Sequence, residues 1–492
     1  MATGSINISS NISRNSLLSV YQPYPCSDLF VQHGNTKLYI TWKDPEDYTS
    51  TDGKLVKWAY TRIVRKTGSY PKNENDGTVV IESSVKNQYA ESPFTDTGLT
   101  NNTNYYYAAF ACSSDGVYCY QPVQYVCKPL SYRKMTVVID LTNSNPATWG
   151  TYADDAVDMS PGKNNAEWDY FFGYKPCLFK DGAVVGYLNP NDYTKFEDGS
   201  SADITSGNAG DVMIEFPRRG IKISKANNKL TVSMTDDLTV SDYTYYAHQR
   251  GSVKKDYFYL GAYLGNIVDD KLRSISGNNP SGSQTLANYY SYARRIGTNY
   301  GILCYYQYLY LQVMCILQYR GNTNTKVVHG VGVTSNTLST TKKCGRANTR
   351  GMMYGDSDVI KIFGIEDAWG NGDTVLNNLC GPSSHSYAAT TTDDTKFYLE
   401  SYTKVYSYSK SISTNYQSDC VGTSEAGFIA CEGGDTGSSS TYFAARCGGD
   451  VYCYFRYGGM TSVNDVGLFS TWPSSSRSGE AYERVFARLQ YL

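Results

Sequence analysis

Thirteen cysteines, four histidines and 46 acidic side chains are the groups in this 492-residue chain from which catalytic or metal-binding chemistry could be built. Metal sites need ligands brought together by short, regular spacings. The cysteines are scattered, and no C-x-x-C pair occurs. His33, His248, His329 and His385 lie far apart, so each reads as a structural or solvated side chain. The acidic pairs Asp154-Asp155 and Asp393-Asp394 stand in turn-rich stretches, where Asp bonds the backbone of its own turn. The phosphate-binding Gly-rich loops, the H-E-x-x-H helix and the EF-hand loop are missing. "MSPGKNN" lacks the hydroxyl residue and the spacing of a phosphate loop, and "GTSEAG" at Gly422 is one residue too long for a nucleophile elbow. Cys447 and Cys453 are the nearest to a reactive pair, and their even spacing suits buried thiols on one face of a strand. No catalytic residue, metal or cofactor is expected.

A different chemistry is written at the end of the chain. "FRYGGMTSVNDVGLFSTWPSSSRSGEAYERVFARLQYL" mixes aromatic, tiny and charged side chains without a repeat, then closes on the strand-like "ARLQYL". The chain holds 47 Tyr against 16 Phe and 6 Trp. Tyr joined to Ser, Gly and Asn is the composition of recognition surfaces, because it gives contact area and a polar tip for little lost rotamer freedom. Tyr also suits strands, so a Tyr-rich β protein is the plain alternative. With 44 basic and 46 acidic residues the net charge is -2, without the basic stripe that a nucleic-acid partner needs.

The elements that must hold such a surface can be read in order. At roughly 100–200 residues per domain the length suggests about three domains. Residues 1–25 are Ser/Asn-rich and read as an arm or attachment segment, without the basic and apolar regions of a signal peptide. Synthesis in the cytoplasm with mostly reduced thiols follows as the expectation. Residues 26–129 alternate in "KLYITWKDP" and "LVKWAYTRIVRKTG", and "GLTNNTNYYYAAFAC" follows; "RKTGSYPKNENDG", Arg65 to Gly77, reads as an exposed loop. Residues 130–263 carry β-branched strands such as "KMTVVIDLT", "DVMIEFPRRGIKISK" and "KLTVSMTDD", separated by long turn-rich connections. In residues 264–492 "SGSQTLANYYSYARRIG" predicts a helix capped by Ser281 or Ser283 and stopped at Gly297. Ile302 to Tyr319 predicts a second helix, apolar on nearly every face. Its length approaches a membrane span, but three glutamines and five tyrosines favour a buried central helix, so no membrane insertion is expected. Beyond Arg320 short strands and long loops are expected, and long loops in a compact domain usually carry function.

Two resemblances sharpen this reading. The strands with Trp42 and Tyr105 resemble a fibronectin type III or Ig-like sandwich, Trp42 at the core Trp and Tyr105 at the corner tyrosine before strand F. Three later features resemble the C-type lectin fold shared by formylglycine-generating enzymes and the variable proteins of diversity-generating retroelements. They are the helix pair before "GNTNT", "IKIFGIEDAWGN" with Trp369, Gly370 and Asn371, and the ending with Gly458, Gly459, Gly467, Leu468, Phe469, Ala487, Arg488 and Leu489. The fold class implied is a multidomain chain: an all-β sandwich, then an α+β C-type lectin-like domain with two helices, many long loops and a variable region at about 441–492.

The pairing resembles tail or host-recognition proteins of phages and prophages. It implies a receptor-binding or adhesin protein without enzymatic activity, on a virion tail or, alternatively, a bacterial cell surface. The ligand would be a bacterial cell-surface protein or glycan receptor. The arm would meet other tail proteins, and the chain would form a homo-oligomer, a trimer included. In the variable-protein family the outward positions near the end are the ones rewritten. Here those are Arg446, Asp450, Tyr452, Tyr454, Arg456, Met460, Thr461, Val463, Asp465, Ser470, Trp472, Arg477, Glu480, Tyr482 and Arg484. Formylglycine-generating enzymes bind copper through two cysteines after the Gly-Gly turn. Here Cys447 and Cys453 precede Gly458-Gly459 with a different spacing, and Trp369-Gly370-Asn371 runs on into Gly372-Asp373-Thr374, so the enzymatic relation is the weaker one. The Glu/Gln-Pro-Asn/Asp loop and Trp-Asn-Asp strand of calcium-dependent sugar binders are missing too.

Overall fold

The computed structural model describes residues 21–90, 92–163, 165–334, 341–380, 387–393, 395, 402–407, 416, 418–429, 431, 453–456, 466–474, 483 and 485–492; at 387, 453–456 and 471–474 it describes the backbone alone. The chain is mostly β-sheet and divides into two compact units, Met1–Tyr132 and Arg133–Leu492.

Among its described residues the first unit contains nine strands: β1 (Ser27–Gly34), β2 (Lys37–Lys43), β3 (Tyr48–Thr49), β4 (Leu55–Val56), β5 (Trp58–Thr67), β6 (Thr78–Ser83), β7 (Phe94–Thr97), β8 (Tyr105–Ser113) and β9 (Val123–Cys127). Sheets ordered β1-β2-β7 and β6-β5-β8-β9 share one core, while β3 and β4 form a small hairpin. Alternation in "KLYITWK" sends Leu38, Ile40 and Trp42 inward to meet Ile63, Tyr107, Ala109 and Ala111 from the other sheet. The Trp42 indole donates to Asp44 at 2.9 Å, and that buried carboxylate also accepts from the Thr61 hydroxyl at 2.6 Å and the Asn87 amide at 2.6 Å. Tyr105 turns its hydroxyl back to accept from the Thr100 amide at 3.0 Å, fixing the approach to β8. The Tyr107 hydroxyl donates to Asp96 at 2.6 Å, and Arg65 grips the same carboxylate through both oxygens.

Strand β8 is buried from Tyr107 to Ser113, on both faces. The loop after β5 is largely exposed, as its sequence leads one to expect, with Thr67–Ser69, Lys72, Asn73, Asn75 and Gly77 open to solvent, and it is tied back to the sheet at a few points. Pro71 is buried, Lys66 pairs with Asp76 at 2.7 Å, and Tyr70 meets Tyr106 edge-on. On this face Val64, Ala108 and Phe110 make a second small core. Tyr118, from the connection after β8, packs against them.

In the second unit, strands Gly150–Asp154, Lys134–Asp140, Lys229–Thr235 and Gly220–Ala226 make one antiparallel sheet in that spatial order. A seven-stranded sheet runs Asp192–Phe196, Ala183–Asn189, Lys175–Lys180, Asp211–Pro217, Tyr257–Gly261, Leu489–Tyr491, Tyr300–Ile302. Among the described residues there are four α-helices: α1 (Ala166–Phe172), α2 (Leu286–Arg294), α3 (Tyr305–Gln318) and α4 (Thr325–His329). No described helix is long and apolar enough to cross a membrane.

Helix α3 is buried at every position. A buried helix must satisfy its polar side chains internally, and four of the polar tips here reach backbone carbonyls of four different surrounding segments. Tyr305 donates to Ala426 at 2.6 Å, Gln307 to Ala247 at 2.9 Å, Tyr310 to Pro217 at 2.9 Å, and Gln318 to Gly162 at 3.1 Å. The helix is a hub with hydrogen-bonding spokes.

Helix α2 begins later than expected. Its cap is Thr285, which accepts from the Asn288 amide at 3.1 Å. Ser283 has left-handed backbone (φ 57°), and the Ser281 hydroxyl accepts from Ile267 N. Helix α1 falls just past a stretch read as a long connection, and that stretch itself contains the strand Gly150–Asp154.

Candidate recognition site at the carboxyl end

Two short strands frame the region singled out by sequence. Cys453–Arg456 pairs antiparallel with Thr471–Ser474, with Tyr454 opposite Pro473, Phe455 opposite Trp472 and Arg456 opposite Thr471. Cys453–Arg456 also pairs with Asp373–Val375, which pairs in parallel with Val485–Phe486. The strand following "WGN" is thereby the centre of the frame.

The turn before Trp472 is sunk in the core. Val466, Leu468 and Phe469 are buried. The Leu468 amide donates to the Thr325 hydroxyl at 2.9 Å, and its carbonyl accepts from Gln312 Nε2 at 3.1 Å and from the Tyr308 hydroxyl. Two spokes of α3 and the start of α4 therefore fix one peptide unit. Val485 to Gln490 are buried too. The Arg488 guanidinium donates to the carbonyls of Gly261, Glu366 and Asp367 at 2.9, 2.8 and 3.1 Å. Leu489–Tyr491 then enters the seven-stranded sheet between Tyr257–Gly261 and Tyr300–Ile302.

Beneath the frame lies a buried charged group. Glu366 accepts from the amides of Gly345 and Ala347, each at 2.7 Å, and Asp367 accepts from Arg346 and Asn371, each at 2.8 Å. Burial raises both carboxyl groups; Asp367 pushes Glu366 further up, while Arg346 pulls both back down. Lys361 donates to the carbonyls of Ala347 and Arg350 at 3.0 Å and sits 3.7 Å over the Tyr193 ring; burial lowers its ammonium to about 7. Trp369 donates to the Gly330 carbonyl at 3.0 Å, and Asn371 exchanges bonds with Lys342. The acids, Lys361, Trp369 and Asn371 are 1% exposed or less, so this cluster braces the backbone and presents no face to a substrate.

Of the fifteen candidate positions, Tyr454, Arg456 and Trp472 stand on the paired strands of the frame. Ser470 corrects the expectation: it is fully buried, in the same turn as Leu468 and Phe469, with its amide donating to the Gly467 carbonyl at 3.2 Å. Arg446, Asp450, Tyr452, Met460, Thr461, Val463, Asp465, Arg477, Glu480, Tyr482 and Arg484 lie outside the described residues, as do Cys447, Gly458, Gly459 and His385. Sequence reasoning missed Tyr308, Gln312 and Thr325 as supports. For Tyr308 and Gln312 the one signal was their polarity in an otherwise apolar helix; Thr325, at the start of α4, gave none.

His248 and His329 are buried and serve separate places. His248 meets the Phe216 carbonyl at 3.1 Å, and burial drops its imidazole to about 3; His329 bonds the carbonyls of Tyr354 and Lys361. No disulfide joins the cysteines with described side chains, which are all buried except the half-buried Cys127. Among the described residues no three His, Cys, Asp or Glu side chains are grouped to hold a metal ion.

No protein-family model matches the chain, and no curated protein matches it. Among solved structures, chitinase ChiA74 from Bacillus thuringiensis is similar over 46% of this chain and 25% of its own, at 13% identity and a TM-score of 0.16. The chain spans about a quarter of that chitinase's length, and a likeness at that score carries no argument about fold or activity.

Proposed function

We propose that this is a receptor-binding or adhesin protein of a phage or prophage tail, displaying a diversified ligand-binding surface on a C-type lectin-like fold. The observation that carries the reading is the two-ended anchoring of the carboxyl region. Cys453–Arg456 and Thr471–Ser474 are laddered, Val466–Ser470 and Val485–Gln490 are sunk in the core, and the irregular Tyr/Trp/Arg sequence joins these fixed points. Backbone held this way tolerates exchange of outward side chains at little cost to the fold, while aromatic and Arg side chains supply the contact energy. In the first unit, the three- and four-stranded sheets, the buried Trp42 and the Tyr105 corner bond support a fibronectin type III-like spacer. Residues 1–25 would join it to the particle, as one copy of an oligomer whose avidity compensates for weak single contacts.

The test replaces Trp472, Arg477 and Tyr482 by Ala together and measures binding to whole bacterial cells. Binding should drop by at least about tenfold with an unchanged melting temperature. Full binding by the folded triple variant would remove this surface from recognition.

A further inference from the structure

A spacer has no use for tyrosines held out in water, yet one end of the first unit carries two, Tyr24 and Tyr120. Three segments meet there: Tyr21–Cys26, the connection from β2 to β5 at 44–57, and the connection from β8 to β9 at 114–122. They are tied to one another. The Gln22 carbonyl accepts from the Tyr48 hydroxyl at 2.8 Å, and the Gln22 side-chain oxygen accepts from the Tyr120 amide at 2.7 Å. Lys54 pairs with Asp115 at 2.9 Å, and the Ser114 amide donates to the Lys57 carbonyl at 2.9 Å. Tyr21 donates to Asp52 and lies under Lys54, 4.6 Å from ring centre to ammonium. Behind them the hydroxyls of Tyr60 and Tyr118 meet at 2.6 Å.

On this braced base Tyr120 is 83% exposed, Tyr24 57% and Leu55 48%. The Tyr24 ring rests 4.5 Å from Tyr48, tilted by 38°. Exposed aromatic side chains grouped on pre-ordered loops mark a contact surface, since the ordering cost of binding is already met. The charges narrow the partner. Lys54 is paired with Asp115, Lys86 with Glu46, and Asp52 accepts from Ser50 and Tyr21. Both lysines are neutralised by carboxylates while Asp52 keeps its negative charge, so the surface offers no spare cation to a phosphate backbone or an anionic membrane. Ring faces beside amide and carboxylate acceptors suit a neutral molecule with apolar C–H faces and many hydroxyl groups.

We infer that this end of the first unit is a second binding site, for a neutral oligosaccharide whose sugar rings stack on Tyr24 and Tyr120 and whose hydroxyls reach Gln22 and Asp52. The site is independent of the carboxyl-terminal surface and does not rest on its reading.

The test uses the full chain and short neutral oligosaccharides of glucose, galactose, mannose and N-acetylglucosamine, followed by saturation-transfer NMR. At least one should bind. Tyr120→Ser and Tyr24→Ser should each weaken it about tenfold, Tyr120→Phe should stay within about threefold, and Trp472→Ala should leave it unchanged. Both Ser variants alter exposed side chains, and thermal melts check that they fold; retained binding by Tyr120→Phe beside its loss in Tyr120→Ser assigns the effect to the ring. No transfer to any of these sugars at about 10 mM, on the scale of a weak single contact, overturns the proposal. So does binding lost with Trp472→Ala alone, or Tyr120→Ser abolishing self-association in sedimentation velocity while leaving sugar binding intact.

Discussion

In the second unit Tyr310 is fully buried and directs its hydroxyl to the Pro217 carbonyl; in the first unit Tyr120 is 83% exposed. The same phenol is an internal bolt in one place and a displayed plate in the other. The setting decides which. Around α3, loops need their carbonyls satisfied where water is absent, and a Tyr or Gln tip reaches across about one layer of side chains to do it. At the end of the first unit the backbone bonds itself through Gln22, Lys54 and Asp115, so the rings there are not needed for the fold. A surplus of Tyr is thus two populations, and composition alone could not separate them.

The contrast can be broken in several ways, the largest first. Arg488→Met should cost about 3–5 kcal/mol in chemical denaturation, because three buried carbonyls lose their donor. A cost below about 1 kcal/mol would mean that the carboxyl frame is held elsewhere.

Acid should act through His248. Its folded-state value is lowered to about 3, so the unfolded chain binds the proton first as pH falls. Stability should then decline by up to about 1.4 kcal/mol per pH unit from the ordinary imidazole value of about 6.5 down towards 3. His248→Gln should flatten that slope in pH-dependent urea melts; an unchanged slope assigns the acid sensitivity to the buried carboxylates.

Tyr310→Phe should cost about 1–2 kcal/mol, the price of an unsatisfied buried carbonyl, and Tyr105→Phe about 1 kcal/mol through the freed Thr100 amide. Tyr120→Phe should lie within about 0.5 kcal/mol of wild type. If Tyr310→Phe and Tyr120→Phe proved equal in calorimetry, the two populations would collapse into one.

Much of the architecture was legible where a single force dominates. The alternation of "KLYITWK" and the apolar run of α3 report burial directly, so both elements appear close to where the sequence puts them. Local hydrogen bonding was harder to foresee. Ser281 and Ser283 both suit a helix cap, but one hydroxyl serves Ile267 and the other residue adopts left-handed backbone, leaving Thr285 to cap α2. Helix α1 had its own signals, Asn165 before it, Gly173 after it and Trp168, Phe171 and Phe172 on one face, within a window too short for periodicity to stand out. The site was the least legible. Ser470 looked outward by residue type, and only the tertiary placement of its turn buries it. The loop from Arg65 to Gly77 was legible as exposed from its Gly, Pro, Asn and Lys content, while the burial of Pro71 within it was not.

Leu489–Tyr491 lies inside the seven-stranded sheet and not on its border. A copy truncated before Leu489 would keep almost its whole sequence and yet hold that sheet in two pieces, with Tyr300–Ile302 cut off and two strand edges bared. Bared edges of this kind invite proteolysis and aggregation, so the last strand holds the two parts of that sheet together.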